Sequence, residues 1–429
     1  MPKINPFKPQ SPVNPGMFIG RLPEILRIEN LLFQTKSGQP SNFIITGERG
    51  IGKSSLLLYI KVIAQGHITT TENIKLNFLV IDTDIDQTTT QLGLIKKIEL
   101  GLNMALGETE PARKFLKESW GFLQRVEVSG VKINPKSDQV IDEIIFEKFS
   151  YAFAETVERI TSLKESSIFN STYDGVLILI DEADRSSKAI QLGSFLKLFT
   201  ERLQRRGCTK TMIGLAGLLD LRNVLRESHE SSLRIFDELV LDRLSDDEVD
   251  QVIDTCLEKA NKDNSTSMQI TEDGRKYLIS LSEGYPHFIQ QFGYSAFETD
   301  TDNLIDENDV ARGGLGENGA LELIGERYYR DNFYNKIQKE SYRQVLRIMA
   351  DNLDGWVSKQ EIRRKYKGKE SVLDNAIQAL RDRHIIIPKE GERGIYRLQH
   401  KGFALWIKIK TMDPTKIQSA IDNHSVKTG

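Results

Sequence analysis

Two short stretches of the chain carry residue types suited to phosphate chemistry. Residues 47–54 read Gly-Glu-Arg-Gly-Ile-Gly-Lys-Ser, preceded by the apolar run Phe43-Ile44-Ile45-Thr46 and followed by a run of helical pattern. In a strand–loop–helix unit, Gly47, Gly50 and Gly52 let the backbone fold close around phosphates. The N–H groups of the loop and the following helix N-terminus, across Gly47, Glu48, Arg49, Gly50, Ile51, Gly52, Lys53, Ser54 and Ser55, supply the partial positive charge. Lys53 can then reach terminal phosphates, and Ser54 can ligate Mg2+. The second stretch, residues 176–184, is a run of five apolar residues ending in Asp181 and Glu182. A buried strand that delivers two acids to its C-terminal end suits Mg-nucleotide hydrolysis: Asp181 holds Mg2+ through water and Glu182 orients the attacking water. Each stretch alone has a plain alternative, a Gly-rich turn with an exposed Lys or a buried strand ending in solvated acids. Together they point to ATP with Mg2+ as cofactor.

These residues need a sheet to hold them. Apolar, strand-like runs at residues 41–47, 75–82, 175–181, 210–217 and 238–244 alternate with helical patterns. That alternation predicts an α/β fold, a parallel sheet covered by helices on both faces. Between the second and third strands the spacing predicts a helix over 90–105, another from Pro111, a short hairpin at 126–133 and a long helix over 138–163. Before the sheet, Pro2, Pro6, Pro9, Pro12 and Pro15 make residues 1–17 an extended arm, packed on the domain or left free. The ATPase core then covers residues 18–245, and a helical lid residues 246–338. In the lid, Thr271 is an expected N-cap and Pro286 a first-turn residue.

The last structured unit, residues 339–411, reads helix, turn, helix, helix, strand, turn, strand, a winged helix-turn-helix. Val372, Leu373, Ala376, Ile377 and Leu380 share one helical face, with Ser371, Asn375, Gln378 and Arg381 on the other. Residues 341–410 hold 16 Lys and Arg against 8 Asp and Glu, whereas the rest of the chain holds 42 against 53. Local positive charge on an otherwise acidic chain suits phosphate backbones or an acidic partner surface. Arg363, Arg364, Lys365 and Lys369 lead into the third, recognition helix, where Asn375, Gln378 and Arg381 can meet base edges, and Arg393 sits on the wing. Double-stranded DNA is the favoured partner; docking of a protein effector is the alternative. Residues 412–429 read as a flexible tail.

The chain has 429 residues, 39% hydrophobic and 28% charged, with 12 Pro and 31 Gly. This excludes a disordered or collagen-like chain and bounds it to two or three domains. Its 2 cysteines, Cys208 and Cys256, have no partner at metal-ligand spacing. With no run near 18 apolar residues and no secretory start, the expectation is a cytoplasmic protein without membrane association.

The spelling Asp-Glu-Ala-Asp at 181–184 is that of some helicases, but no Ser-Ala-Thr element or second RecA-like domain follows it. No ABC-type signature is present either. Instead, residues 17–32, with Phe18, Gly20, Arg21 and Glu24, resemble the box that opens origin-recognition type AAA+ ATPases and the related STAND signalling NTPases. With the Gly-rich loop, the Asp-Glu strand, the lid and the winged helix, the similarity covers residues 18–410. The resemblance implies that Gly20 and Arg21 lie at the nucleotide, the alternative being an ordinary surface helix. It implies that Arg234, before the fifth strand, reaches a neighbouring subunit's nucleotide, with Arg226 as second choice; the alternative is a surface arginine paired with Glu227, Glu230 or Asp237. Self-association into a ring or filament follows from that role. Two departures stand out. The fourth strand ends in residues 214–217, Gly-Leu-Ala-Gly, where such ATPases place a polar sensor of the terminal phosphate. In the lid, His287 stands where a sensor arginine is often found, while Gly284, Tyr285 and Pro286 resemble the Gly-x-Pro element of STAND lids, which makes Pro286 a nucleotide-side candidate. The implied function is an ATP-dependent switch coupling nucleotide state to oligomerisation and to DNA or effector recruitment. The alternatives are a non-hydrolysing ATP-bound regulator and a protein-docking scaffold.

Overall fold

β-Branched and aromatic runs form the strands of this chain, and amphipathic runs between them form the helices. The computed structural model describes residues 3–123, 143–335, 337–352, 355–389 and 391–411. The hairpin expected at 126–133, the start of the helix expected from 138, and the tail from 412 lie outside the described residues. The chain divides into two units, Pro12–Asp242 on one side and the described residues of Met1–Ser11 and Arg243–Gly429 on the other.

The first unit holds a parallel sheet of β1 (Asn42–Gly47), β2 (Phe78–Asp84), β3 (Gly175–Asp181), β4 (Thr211–Gly217) and β5 (Phe236–Leu241), ordered β2-β3-β4-β1-β5. β1 and β4 are buried along their whole length, the signature of strands covered on both faces. Asn42 ties three strands at their N-terminal ends: its carbonyl accepts from Ile213 N at 2.9 Å and its amide donates to Ile235 O at 3.2 Å. The helices are α1 (Leu22–Lys36), α2 (Lys53–Ala64), α3 (Gln91–Leu106), α4 (Glu110–Trp120), α5 (Glu143–Ile160), α6 (Leu192–Arg205) and α7 (Leu221–Ser228). Thr90 and Thr109 cap α3 and α4 through their side chains, which fixes where each begins. A run of buried rings joins α5 to α6, with Phe149 stacked on Phe199 at 4.7 Å and Phe146 beside Phe195 at 5.2 Å.

Two strands differ from the sequence expectation. β2 starts three residues later than expected, because Asn77 N donates to the Asp174 carboxylate at 2.8 Å rather than entering the ladder. It also runs on to Asp84, paired with Asp181. β5 begins and ends earlier than expected, since its register on β1 pairs Phe236 with Asn42 and Leu241 with Gly47. The Asp242 carbonyl then accepts from the Arg21 guanidinium instead of a strand.

The second unit contains the lid helices α8 (Asp246–Asp263), α9 (Glu272–Ser282), α10 (Pro286–Thr299) and α11 (Glu307–Leu315). Ser245 opens α8 with a capping box, Thr271 caps α9 and Pro286 takes the first turn of α10. Arm residues belong to this unit too. Phe7 is 2% exposed and lies so close to Gly293 of α10 that a Cβ there would come within 2.3 Å of its ring. Lys8 N donates to Gln290 Oε1 at 2.7 Å and Ile4 N to Asn264 Oδ1 at 2.6 Å. The C-terminal part of this unit is α12 (Glu340–Ala350), β6 (Val357–Ser358), α13 (Lys359–Lys365), α14 (Glu370–Asp382), β7 (Ile386–Pro388), β8 (Ile395–Leu398) and α15 (Lys401–Thr411). β6, β8 and β7 form an antiparallel sheet in that order, so the wing has a third strand that two residues of sequence could not announce. This is the winged helix-turn-helix arrangement. No described helix is long and apolar enough to cross a membrane.

Candidate functional site

The loop between β1 and α2 is shaped by its glycines: Gly50 and Gly52 take φ of 80° and 100°, values that a side chain disfavours. Ile51 between them is buried, and its carbonyl accepts from Arg21 at 3.2 Å. Lys53, the first residue of α2, folds back so that Nζ donates to Gly47 O at 2.9 Å and Glu48 O at 2.7 Å. Burial pushes the Lys53 ammonium below its ordinary pKa, while the charges of Asp184 and Asp181 pull the other way. The adjacent Ser54 Oγ donates to Asp181 Oδ2 at 2.8 Å, which brings the two expected Mg2+ ligands together across the sheet edge. Ser55 faces the arm, accepting from Val13 N at 3.2 Å, and Phe18 stacks on Tyr59 of the same helix at 5.1 Å.

Order in the sheet decides what else stands at this edge. In parallel strands every C-terminal end lies on one side, and β4 runs between β3 and β1. Its last residue, Gly217, therefore falls between the acids that follow β3 and the loop that follows β1. Asp181 and Glu182 lie at the exit of β3, with Asp181 Oδ1 accepting from Glu182 N at 2.8 Å. Glu182 sits at φ 53° in the left-handed region and pairs with Arg185 at 2.7 Å. Asp184, one turn further on, accepts from Leu218 N at 2.9 Å.

Arg21 is 6% exposed, at φ 63°, with its guanidinium on the carbonyls of Ile51 and Asp242 and 3.7 Å from Glu24. It thus ties the loop between β1 and α2 to the residue after β5. Arg234 lies exposed on the short turn Ser232–Ile235 and makes no ion pair among the described residues. Two of the surface acids considered for it are engaged elsewhere, Asp237 with Arg27 and Glu227 with Lys188. Pro286 sits in the other unit, one residue after Tyr285, which serves as N-cap of α10.

The winged-helix residues divide by what holds them. Arg363 donates to Tyr366 O at 3.4 Å and Gly368 O at 3.2 Å, so it shapes its own loop. Lys365 pairs with Asp351 at 3.0 Å. Arg364, Lys369, Asn375, Arg381 and Arg393 are exposed, and Gln378 donates to Asp382 Oδ1 at 2.8 Å. α14 itself carries Glu370, Asp374 and Asp382 against Arg381 alone, so its cationic charge lies before it and on the wing. On the wing, Arg397 and Lys389 lie over the Trp356 ring, 5.1 and 6.0 Å from its centre.

With this geometry in place the chain can be set beside known proteins. No family model matches it. An uncharacterized HTH-type transcriptional regulator of Methanocaldococcus jannaschii is 26% identical over 294 residues, 67% of this chain and 65% of that protein. The match thus spans a little under two thirds of the relative's length. Among solved structures, the ORC2 protein of Aeropyrum pernix in its ADPNP–ADP complexes superposes with a TM-score of 0.50 at 12% identity, covering 95% of this chain and 96% of that one. The chain has the ORC-type AAA+ fold. CDC6P from Pyrobaculum aerophilum superposes less closely, with a TM-score of 0.40 at 11% identity over 96% of this chain and 99% of that one.

Within this ORC-type fold, sequence reasoning passed over two residues at the site edge. Asp184 closes the Asp-Glu-Ala-Asp stretch and Arg185 follows it, but only the turn Ala183–Arg185 shows that they fold back beside Glu182 and β4. Gly217 stands out in the sequence for the side chain it lacks. Its relation to Asp184 has no signal in the linear chain.

Proposed function

We propose that the protein binds ATP with Mg2+ at the loop between β1 and α2, hydrolyses it, and uses the nucleotide state of this core to control the winged helix carried by the same chain. The observation that carries this reading is the Ser54–Asp181 hydrogen bond of 2.8 Å beside the in-folded Lys53. Ligands from two elements 127 positions apart converge there on one point, at the edge where parallel sheets receive ligands. Ser54 and Asp181 would hold Mg2+, which when bound neutralises phosphate charge. Lys53 would exchange its two carbonyl acceptors for phosphate oxygens, and Glu182, released from Arg185, would orient the attacking water. Arg234, exposed at the turn before β5, would act on the nucleotide of a second copy in a ring or filament. Arg364, Lys369 and Arg393 would meet DNA backbone, with Asn375, Gln378 and Arg381 nearer the bases. The label of the Methanocaldococcus relative, a transcriptional regulator of HTH type, fits a DNA-directed output.

The test is ATP turnover by the wild type and by Glu182→Gln, with and without double-stranded DNA, over a series of protein concentrations. Turnover that rises with concentration and DNA, and vanishes in the variant, is the expected result. Tight ATP binding with negligible turnover in every condition would favour the second reading, an ATP-bound regulator that does not hydrolyse. That reading is motivated by the Glu182–Arg185 pair and by the missing side chain at the end of β4.

A further inference from the structure

β4 ends without a side chain at the middle of the edge that holds the phosphate loop and the acids. A Cβ added to Gly217 would stand 2.6 Å from Asp184 Oδ1 and 3.1 Å from Asp184 N. The place beside the strand end is therefore taken by a carboxylate that arrives from β3. The turn Ala183–Arg185 carries it there, and the Leu218 N–H holds Oδ1 at 2.9 Å. Oδ2 makes no hydrogen bond among the described residues. Among the acids whose charge reaches Lys53, Asp184 stands first, ahead of Asp181.

We propose that Asp184 is the residue by which this site reads the terminal phosphate: its carboxylate occupies the position at the end of β4 where the strand has only Gly217. The proposal rests on the ATP reading given above. A fixed carboxylate whose charge reaches Lys53 repels a third phosphate more than it repels a diphosphate, so it lowers ATP affinity relative to ADP. Its free oxygen is an acceptor for water at the phosphate end, which makes Asp184 a positioning partner of Glu182 in turnover. The Leu218 bond passes the same event to the segment after β4, where Leu218 and Leu219 are exposed.

The experiment uses the full chain and measures equilibrium binding of ATP and ADP with Mg2+, together with steady-state turnover. Asp184→Asn keeps an acceptor for the Leu218 N–H and removes the charge, whereas Asp184→Ala removes both. The expected result for both variants is an ATP-to-ADP affinity ratio raised on the order of fivefold, with kcat at least about tenfold lower and no rise in KM for ATP. A residue that only supports the fold would weaken both nucleotides together, and Asp184→Asn would restore wild-type behaviour; that outcome overturns the proposal. Unchanged ratio and turnover in Asp184→Asn overturn it as well. Where the wild type binds ATP without turning it over, the affinity ratio decides. Lys53→Ala serves as the control on the underlying reading: if it and the wild type bind ATP equally weakly, the nucleotide site itself is refuted, and this inference with it.

Discussion

On the proposed reading, Glu182 is a residue poised for water and withheld by a neighbour at once. Its backbone is left-handed, a conformation that non-glycine residues seldom adopt, and its carboxylate is held by Arg185 across 2.7 Å. The pair is about half exposed on both sides, so it is worth no more than about 1 kcal/mol. Releasing Glu182 therefore raises turnover by up to about fivefold and no further. Arg185→Ala is expected to show that gain in steady-state hydrolysis at saturating ATP. Turnover that is unchanged or slower would mean that Arg185 does not restrain Glu182. Arg21, a nucleotide-side candidate by resemblance, donates to the carbonyls of Ile51 and Asp242. Its contact with Ile51 ties it to the loop between β1 and α2.

Between elements, the most consequential contact in the second unit joins the end of α9 to the start of α15. Glu283, buried and at φ 49°, accepts from Gly402 N at 2.7 Å and lies 3.5 Å from Arg243. Arg243 in turn donates to Tyr285 OH at 3.1 Å and Gln399 O at 3.2 Å. Lid and winged helix are thus latched within one unit, by a carboxylate placed at a helix N-terminus where the free N–H groups favour negative charge. Burial nonetheless pushes the Glu283 carboxyl above its ordinary pKa, with the Gly402 and Lys401 N–H groups opposing. A raised acid pKa means that the folded state holds its proton longer, so this residue's contribution to stability is lost as pH rises through the folded pKa. Glu283→Ala, which leaves the Gly402 N–H unpaired, is expected to destabilise the unit by about 1–3 kcal/mol. Glu283→Gln keeps an acceptor without the charge and should gain on the wild type as pH rises above the ordinary glutamate range. Thermal melts across that range check both; a Gln variant that loses ground with rising pH would refute the account.

At the scale of the whole molecule, charge is unevenly placed, with 16 basic against 8 acidic residues in 341–410 and an acidic excess elsewhere. On the proposed function, DNA binding through that region weakens with salt, because each neutralised phosphate releases counterions. Arg364→Ala and Lys369→Ala are each expected to flatten the slope of log affinity against log salt by about 1. Arg363→Ala should instead lower stability, since that guanidinium holds the carbonyls of Tyr366 and Gly368. A slope near zero in the wild type would move the partner from DNA to protein.

Local pattern was enough for much of this molecule. The Gly-rich loop, the strand ending in Asp181 and Glu182, the cap at Thr271, and the helices of the winged unit each depend on neighbours within a few residues. Such signals survive in a linear reading because hydrogen-bond geometry and side-chain periodicity are short-ranged. What tertiary structure decided is everything that needs two distant segments at one point. The order β2-β3-β4-β1-β5 sets Gly217 between the loop and the acids, and so gives Asp184 its place. Register on β1 ends β5 before Asp242 and hands that carbonyl to Arg21. The two-residue strand β6 exists only because β8 lies beside it. In each case a hydrogen-bonding group near in space but remote in sequence outcompetes the local preference, since a buried polar group left unpaired costs more than a strand propensity gains.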